Sequence, residues 1–156
     1  MSAFTTARAL ALALPAALMA GALGAQFIGG LYPCEMCHWQ RWPQYAAIAL
    51  AALAFVGPRP ARGVLVALAG LAVLTSGAIG VFHAGVEYHW WQGITPCSRV
   101  ASHGGDALSE ILNAPIVRCD APQWTLAGIS LAGFNALFSL AGGATILALL
   151  AKGRQA

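Results

Sequence analysis

The chain has 156 residues, of which 59% are hydrophobic and only 8% charged, whereas soluble domains average about 25% charged residues. That balance excludes an ordinary soluble domain and points to an integral membrane protein of a few helices in one domain. The net charge of +3 does not point to nucleic acid, because the basic residues stand singly or in pairs near the ends of apolar runs, with no basic stripe interleaved with aromatics.

From Ala9 to Tyr32 there is no charged residue, a run long enough to cross ~30 Å of hydrocarbon as a helix. Pro15 and the glycines within it are tolerated in membrane helices, where small residues allow close helix approach. A secretory signal peptide competes for this stretch, with Arg8, an apolar core and a small-residue site near Ala22–Ala25. The apolar run continues past that site through Phe27, Ile28 and Leu31, which favours the span. Gln26 lies inside the run and suits a hydrogen bond between helices.

Pro33-Cys34-Glu35-Met36-Cys37-His38-Trp39-Gln40-Arg41 follows. A second apolar stretch runs to Val56, with Pro43 expected near a helix start, and ends in the basic turn Gly57–Gly63. A third span covers 64–86, where Gly70, Gly77 and Gly80 suit close packing. Residues 87–123 form one long polar loop holding Cys97 and Cys119. Tyr88, Trp90 and Trp91 open that loop with the aromatic signature of a membrane boundary. Leu108, Ile111 and Leu112 beside Asp106 and Glu110 predict a short amphipathic helix lying on the surface. The last span covers 124–151 and is closed by Lys152 and Arg154.

The expected fold is therefore an all-α membrane protein. It is a four-transmembrane-helix bundle with spans 9–32, 38–56, 64–86 and 124–151 and a short amphipathic helix in the second periplasmic loop, 87–123. Residues 1–156 make a single domain. Arg8, Arg59, Arg62, Lys152 and Arg154 fall on one side, so the positive-inside rule makes that side, with both termini, cytoplasmic. All four cysteines then lie outside, which for a bacterial inner membrane is the periplasm, where disulfides persist.

Four cysteines on one oxidising face are open to several chemistries. Two structural disulfides suit Cys97 and Cys119, whose bond would close a loop worth about 3 kcal/mol, but suit the close Cys34/Cys37 pair less well. A zinc site needs a second close pair that Cys97 and Cys119 do not supply. Cys34-Glu35-Met36-Cys37-His38 also matches the c-type haem motif C-x-x-C-H, although it is wedged between two spans and leaves the loop cysteines unused. A redox relay uses all four. Cys37 near a helix start, with Arg41 one turn on, is set up as a thiolate beside a cation, suited to a lipid-soluble electron acceptor. The loop pair is placed to meet a soluble protein. The runner-up is a non-catalytic membrane subunit, or a haem protein built on the same motif.

On these residues the chain resembles the DsbB family, the quinone-dependent disulfide-forming enzymes of the bacterial inner membrane. The resemblance covers nearly the whole chain. It is carried most specifically by Gln26 through Arg41 (Q-x7-C-x-x-C-x3-R) and by Cys119-Asp120 with Trp124 just after. A related architecture, vitamin K epoxide reductase, has its C-x-x-C on the last helix instead. The resemblance implies catalytic Cys34, Cys37, Cys97 and Cys119, with disulfides Cys34–Cys37 and Cys97–Cys119. A periplasmic DsbA-like thiol oxidase would attack Cys97, and Cys119 would then exchange with Cys34, releasing Cys37 to a quinone, either ubiquinone or menaquinone. Arg41 would stabilise that thiolate and the reduced quinone, and Glu87 and His89 are candidates to face the headgroup. No metal is expected.

Overall fold

The computed structural model describes residues 2–95 and 117–155. Among these, four long helices run as α1 (Ala3–Phe27), α2 (Glu35–Val56), α3 (Arg59–Glu87) and α4 (Leu131–Gln155). A two-residue hairpin, β1 (Thr125–Leu126) with β2 (Ile129–Ser130), precedes α4. Three helices, α1, α3 and α4, are long and apolar enough to cross a membrane. At 22 residues and ~1.5 Å per residue, α2 has the length as well. Its first half, however, carries Glu35, His38, Gln40, Arg41 and Gln44. The short helix expected at 108–112, like Cys97, lies outside the described residues.

The helix bounds depart from the expected spans at both ends of the cysteine-bearing half. α1 stops at Phe27, and 28–34 is not helical. Gly30 takes a left-handed φ of 68°, a conformation glycine adopts without penalty. Behind it the amides of Ile28, Gly29 and Leu31 fold back onto the carbonyls of Gly24 and Ala25, which closes the helix in the usual left-handed manner. At the other end, α4 begins at Leu131 and not at 124. The hairpin intervenes, turning through Ala127 and Gly128, both at positive φ, as a two-residue turn of matching twist requires. Pro43 lies well inside α2 and not at its start.

The helices pack in a closed ring: α3 lies chiefly between α2 and α4, and α1 spans α2 and α4 on the far side. Gly153 of α4 abuts Phe4 of α1, and the Arg8 guanidinium lies 4.4 Å from the Phe55 ring centroid of α2. Both ends of the described chain and the α2–α3 turn therefore share one end of the bundle. That end has a core of small residues. Ala7 and Ala11 face Ala47, Ala51 and Ala54, with Val66, Ala69, Val73, Ile146 and Leu150. Between helices in lipid no hydrophobic drive exists, so small side chains gain contact by letting backbones approach. Gly70, Gly77 and Gly80 do this along α3, as expected: a Cβ on Gly80 would stand 3.0 Å from the Ala132 carbonyl oxygen of α4. Large apolar side chains such as Leu53, Val56, Val64, Leu71 and Leu137 face outward, the inverse of a soluble bundle.

A polar layer crosses the middle. Gln44 of α2 donates to Ser76 Oγ of α3 (3.0 Å) and Ser139 Oγ of α4 (2.9 Å). Asn135 donates to Gln40 Oε1 (2.8 Å) and to the Ser76 carbonyl (3.1 Å). Each such bond adds about 0.6 kcal/mol on average in a membrane bundle, and together they fix the register of α2, α3 and α4. Beyond this layer, at the end opposite the termini, lies the cysteine cluster.

Candidate active site

Cys34 is the N-cap residue of α2, and its Sγ accepts from the Cys37 amide at 3.3 Å. Cys37 lies in the first turn of α2, near the helix start as expected, and Cys34 is the residue at the cap. The two stand as free thiols with sulfurs 3.0 Å apart, the Cys34 thiol donating to Cys37 Sγ. Cys34 is buried and Cys37 is half-buried.

Cys119 packs against the same pair. It is fully buried in one cluster with Cys34, Met36 and Val86, with Cys37, Trp39 and Phe82 around it. Cys119 is disulfide-bonded; Cys97, its expected partner, lies outside the described residues. Next to it the Arg118 guanidinium grips Asp120 through two bonds of 2.9 and 2.7 Å. This holds the Asp120 carboxyl below its usual range. Gln123 ties the segment to α1's exit by donating to the Tyr32 carbonyl at 2.7 Å.

On its other side the thiol pair opens into a cavity of about 290 Å³ between α1, α2 and α4. Its walls are mostly apolar, with Trp124, Phe134 and Phe138 on one side and small residues of α1 on the other. The polar groups converge at the thiols: Cys34, Cys37, Arg41, Gln44, His83 and Glu87 all line it. Arg41 is held by α1, donating to Gln26 Oε1 at 2.5 Å and to the Ala22 carbonyl at 3.3 Å, so the interhelical bond expected of Gln26 forms with the arginine. Glu87, buried at the end of α3, accepts from the Ser130 hydroxyl. Ser130 also caps α4 by accepting from the Gly133 amide at 3.1 Å, and Tyr88 bridges the hairpin to α3 through Gly128 and Ser130.

The structure thus brings together Cys34, Cys37, Cys119, Arg41 and Glu87. It does not bring His89 to them. His89 is exposed at a left-handed φ of 59°, beside a separate hollow formed with Val86, Trp90, Trp91 and Asp120. His38, the histidine of the haem-like motif, is exposed and does not line the cavity. The histidine at the thiols is one the motif does not contain. His83 of α3 is 2% exposed, with Nε2 at 3.5 Å from Cys34 Sγ and Nδ1 at 2.7 Å from Gln40 Nε2. Its only sequence signal was an ionisable residue inside a membrane span, four residues before Glu87, a position that by itself suggests function.

An apolar cavity with a dithiol, a cation and few polar groups at one end suits a flat, lipophilic electron acceptor. Residues 5–149 match the family model described as disulfide bond formation protein DsbB. The chain is similar to the disulfide bond formation protein B of Verminephrobacter eiseniae (strain EF01-2), at 37% identity over 88% of this chain and 80% of the relative. It is also similar to that of Acidovorax sp. (strain JS42), at 32% over 88% and 82% respectively, and to that of Polaromonas sp. (strain JS666 / ATCC BAA-500), at 35% over 78% and 75%. No solved structure matches. With a thiol pair at the head of α2, a third cysteine packed on it and a match across nearly its whole length, the chain belongs to the DsbB family of disulfide-generating membrane oxidoreductases.

Proposed function

We propose that this protein reoxidises a DsbA-like thiol oxidase of the periplasm and passes the two electrons to a membrane quinone, ubiquinone or menaquinone, in the cavity beside Cys37. The observation that carries the reading is the two-sided environment of the Cys34–Cys37 pair, with Cys119 packed on one side and the apolar cavity holding Arg41 on the other. When bound, the quinone supplies a two-electron, two-proton acceptor. The residues present fit such a group. Aromatic and small side chains wall the cavity, Arg41 is a fixed cation at its polar end, and the buried Gln44 Oε1 has no hydrogen-bond partner.

The packing of Cys119 on Cys34 supports the following exchange. A partner thiolate attacks Cys97 of a Cys97–Cys119 disulfide and releases Cys119. The Cys119 thiolate attacks Cys34 of an oxidised Cys34–Cys37 pair. The Cys119–Cys34 bond forms as the Cys34–Cys37 bond breaks, and Cys37 leaves with the electron pair into the cavity, where Arg41 balances its charge. Burial of Cys34 and Cys119 keeps competing soluble thiols from intercepting the exchange.

The whole-chain topology belongs to the same proposal. α2 is the fourth span, its polar first half shielded by α1, α3 and α4. The basic end that gathers Arg8, Arg59, Arg62 and Lys152 faces the cytoplasm, and the cysteines face the periplasm. The test is purified protein with a reduced DsbA-like partner and a quinone analogue. Cys34→Ser and Cys37→Ser protein should leave the partner reduced; oxidation at the wild-type rate by either variant would end the reading.

A further inference from the structure

We propose that His83 is a catalytic residue of this site, a fixed hydrogen-bond donor that stabilises negative charge on Cys34 Sγ while the Cys34–Cys37 disulfide is re-formed. The inference rests on the dithiol chemistry proposed above and assigns the residue that activates Cys34 within it.

The argument starts from which ring nitrogen carries the proton. Amide orientations are settled by partners that can act in one sense alone. The Ser76 carbonyl only accepts, so the Asn135 atom 3.1 Å from it is the amide nitrogen. That nitrogen also donates to Gln40 at 2.8 Å, so the Gln40 atom there is the oxygen. The other Gln40 atom is then its nitrogen, in agreement with its 3.3 Å contact to the Met36 carbonyl. This same nitrogen lies 2.7 Å from His83 Nδ1. It can only donate, so Nδ1 accepts and the proton of the neutral ring sits on Nε2. Two backbone carbonyls on two different helices thereby set the tautomer.

Nε2–H faces Cys34 Sγ at 3.5 Å and Glu87 Oε1 at 3.8 Å. The Cys119 backbone carbonyl also accepts a hydrogen bond from the same ring, so Nε2–H is shared between the cysteine segment and the Cys34 sulfur. Cys34 Sγ thus meets two N–H donors from different elements, the Cys37 amide and the His83 ring. A neutral thiol needs neither; a thiolate uses both. The other ionisable groups around it are Cys37 and Arg41 on α2 and Glu87 on α3.

This tautomer also decides between two roles for the trio. Cys34, Cys37 and His83 place three donor atoms within 4.8 Å of one another, the geometry of a metal site. A ligating histidine presents a bare nitrogen to the metal and donates its other N–H outward. His83 is arranged the opposite way, so it serves the sulfur.

In the step itself two thiols become one disulfide. Overall both thiols lose their protons and the S–S bond forms; a quinone, when bound, would take up the two electrons and two protons. Once its proton has left, Cys34 carries the charge that Nε2–H and the helix N-terminus meet.

The test compares His83→Gln with His83→Asn. A glutamine amide reaches the Nε2 position and can still donate to Cys34; the shorter asparagine reaches only the Nδ1 position. Single-turnover oxidation of the reduced full-length protein by a short-chain ubiquinone analogue is followed across the neutral to alkaline range. His83→Asn should be about tenfold to a hundredfold slower near neutrality, as expected for losing a hydrogen bond to a charged group, and should recover as pH rises. His83→Gln should stay within a few-fold of wild type. Equal rates and equal pH profiles for the two variants would overturn the proposal, whereas wild-type protein that quinone does not oxidise at all would instead overturn the reading of the cavity. If neither variant folds, nitrogen chemical shifts of labelled histidine in the wild-type protein decide: a proton on Nε2 supports the proposal, and one on Nδ1 overturns it.

Discussion

Replacing Arg41 by alanine removes the lining arginine that has no carboxylate partner, since Arg118, which also lines the cavity, is paired with Asp120; it also removes the partner of two α1 acceptors, Gln26 Oε1 and the Ala22 carbonyl. A hydrogen bond to a charged group contributes about 1.5–3 kcal/mol. If the guanidinium meets charge that develops on the acceptor, kcat/KM for quinone should fall by about tenfold to a hundredfold. The rate at saturating quinone with limiting partner should change much less, because Cys119 and Cys34 meet on the other side of the pair. Gln26→Leu separates holding from acting. It leaves the charge in place but loosens it, so a loss of only a few-fold is expected. The double variant should be no worse than Arg41→Ala alone if Gln26 works only through the arginine. The assay is steady-state oxidation of a reduced DsbA-like partner with quinone concentration varied. An unchanged kcat/KM for quinone in Arg41→Ala protein would refute the reasoning.

Ser130→Ala should destabilise the bundle by about 1–3 kcal/mol, since one hydroxyl both caps α4 and donates to buried Glu87; thermal unfolding in detergent measures it, and Ser130→Thr should restore most of the loss. Gly80→Val should cost about 1–3 kcal/mol by forcing α3 from the Ala132 carbonyl, while Gly21→Ala, with open space around it, should be near neutral in the same measurement. Asp120 is held below the usual carboxylate range by Arg118, so its contribution is present above the unfolded value and disappears as pH falls through the folded one. The difference in thermal stability between wild type and Asp120→Asn should therefore shrink on acidification, and a difference that stays constant through the carboxylate range would contradict that pairing.

The apolar runs were legible because a membrane span must exclude charge over its whole length, a property that survives uncertainty about the exact ends. The ends were less so. The hairpin before α4 turns on Ala127-Gly128, where only the glycine favours a positive φ, and strands of two residues leave no alternation to detect. The thiol pair and Arg41 were legible because their chemistry is local to one helix turn. His83 was not. Its partners Gln40 and Cys34 lie 43 and 49 residues earlier in the chain, and nothing in local spacing tells which helix faces meet. The same holds for the layer of Gln44, Ser76, Asn135 and Ser139, in which each residue alone passes for a tolerated polar substitution in an apolar run. His89, nearer the aromatic cluster and easier to notice, sits on the outside of the turn that ends α3.

The polar layer explains why the thiols need a bundle of this kind. A C-x-x-C pair at a helix N-terminus already has one N–H donor, and many soluble folds supply that much. What the bundle adds is a second donor aimed at the same sulfur from another helix, with its orientation traced through Gln40 and Asn135 to backbone carbonyls that cannot reverse their sense. In lipid the chain of amides has no water to exchange with, so the proton on His83 is held in place by geometry. Arg41 is fixed in the same manner from α1. The two sulfurs, three residues apart, both line the cavity and both pack near Cys119, but they differ in one neighbour and in burial: Cys34 is buried with the His83 ring at 3.5 Å, and Cys37 is half-buried. Under the proposed function, that asymmetry would give one dithiol a sulfur held for exchange with Cys119 and a second sulfur open to a lipid-soluble acceptor, linked by a single disulfide.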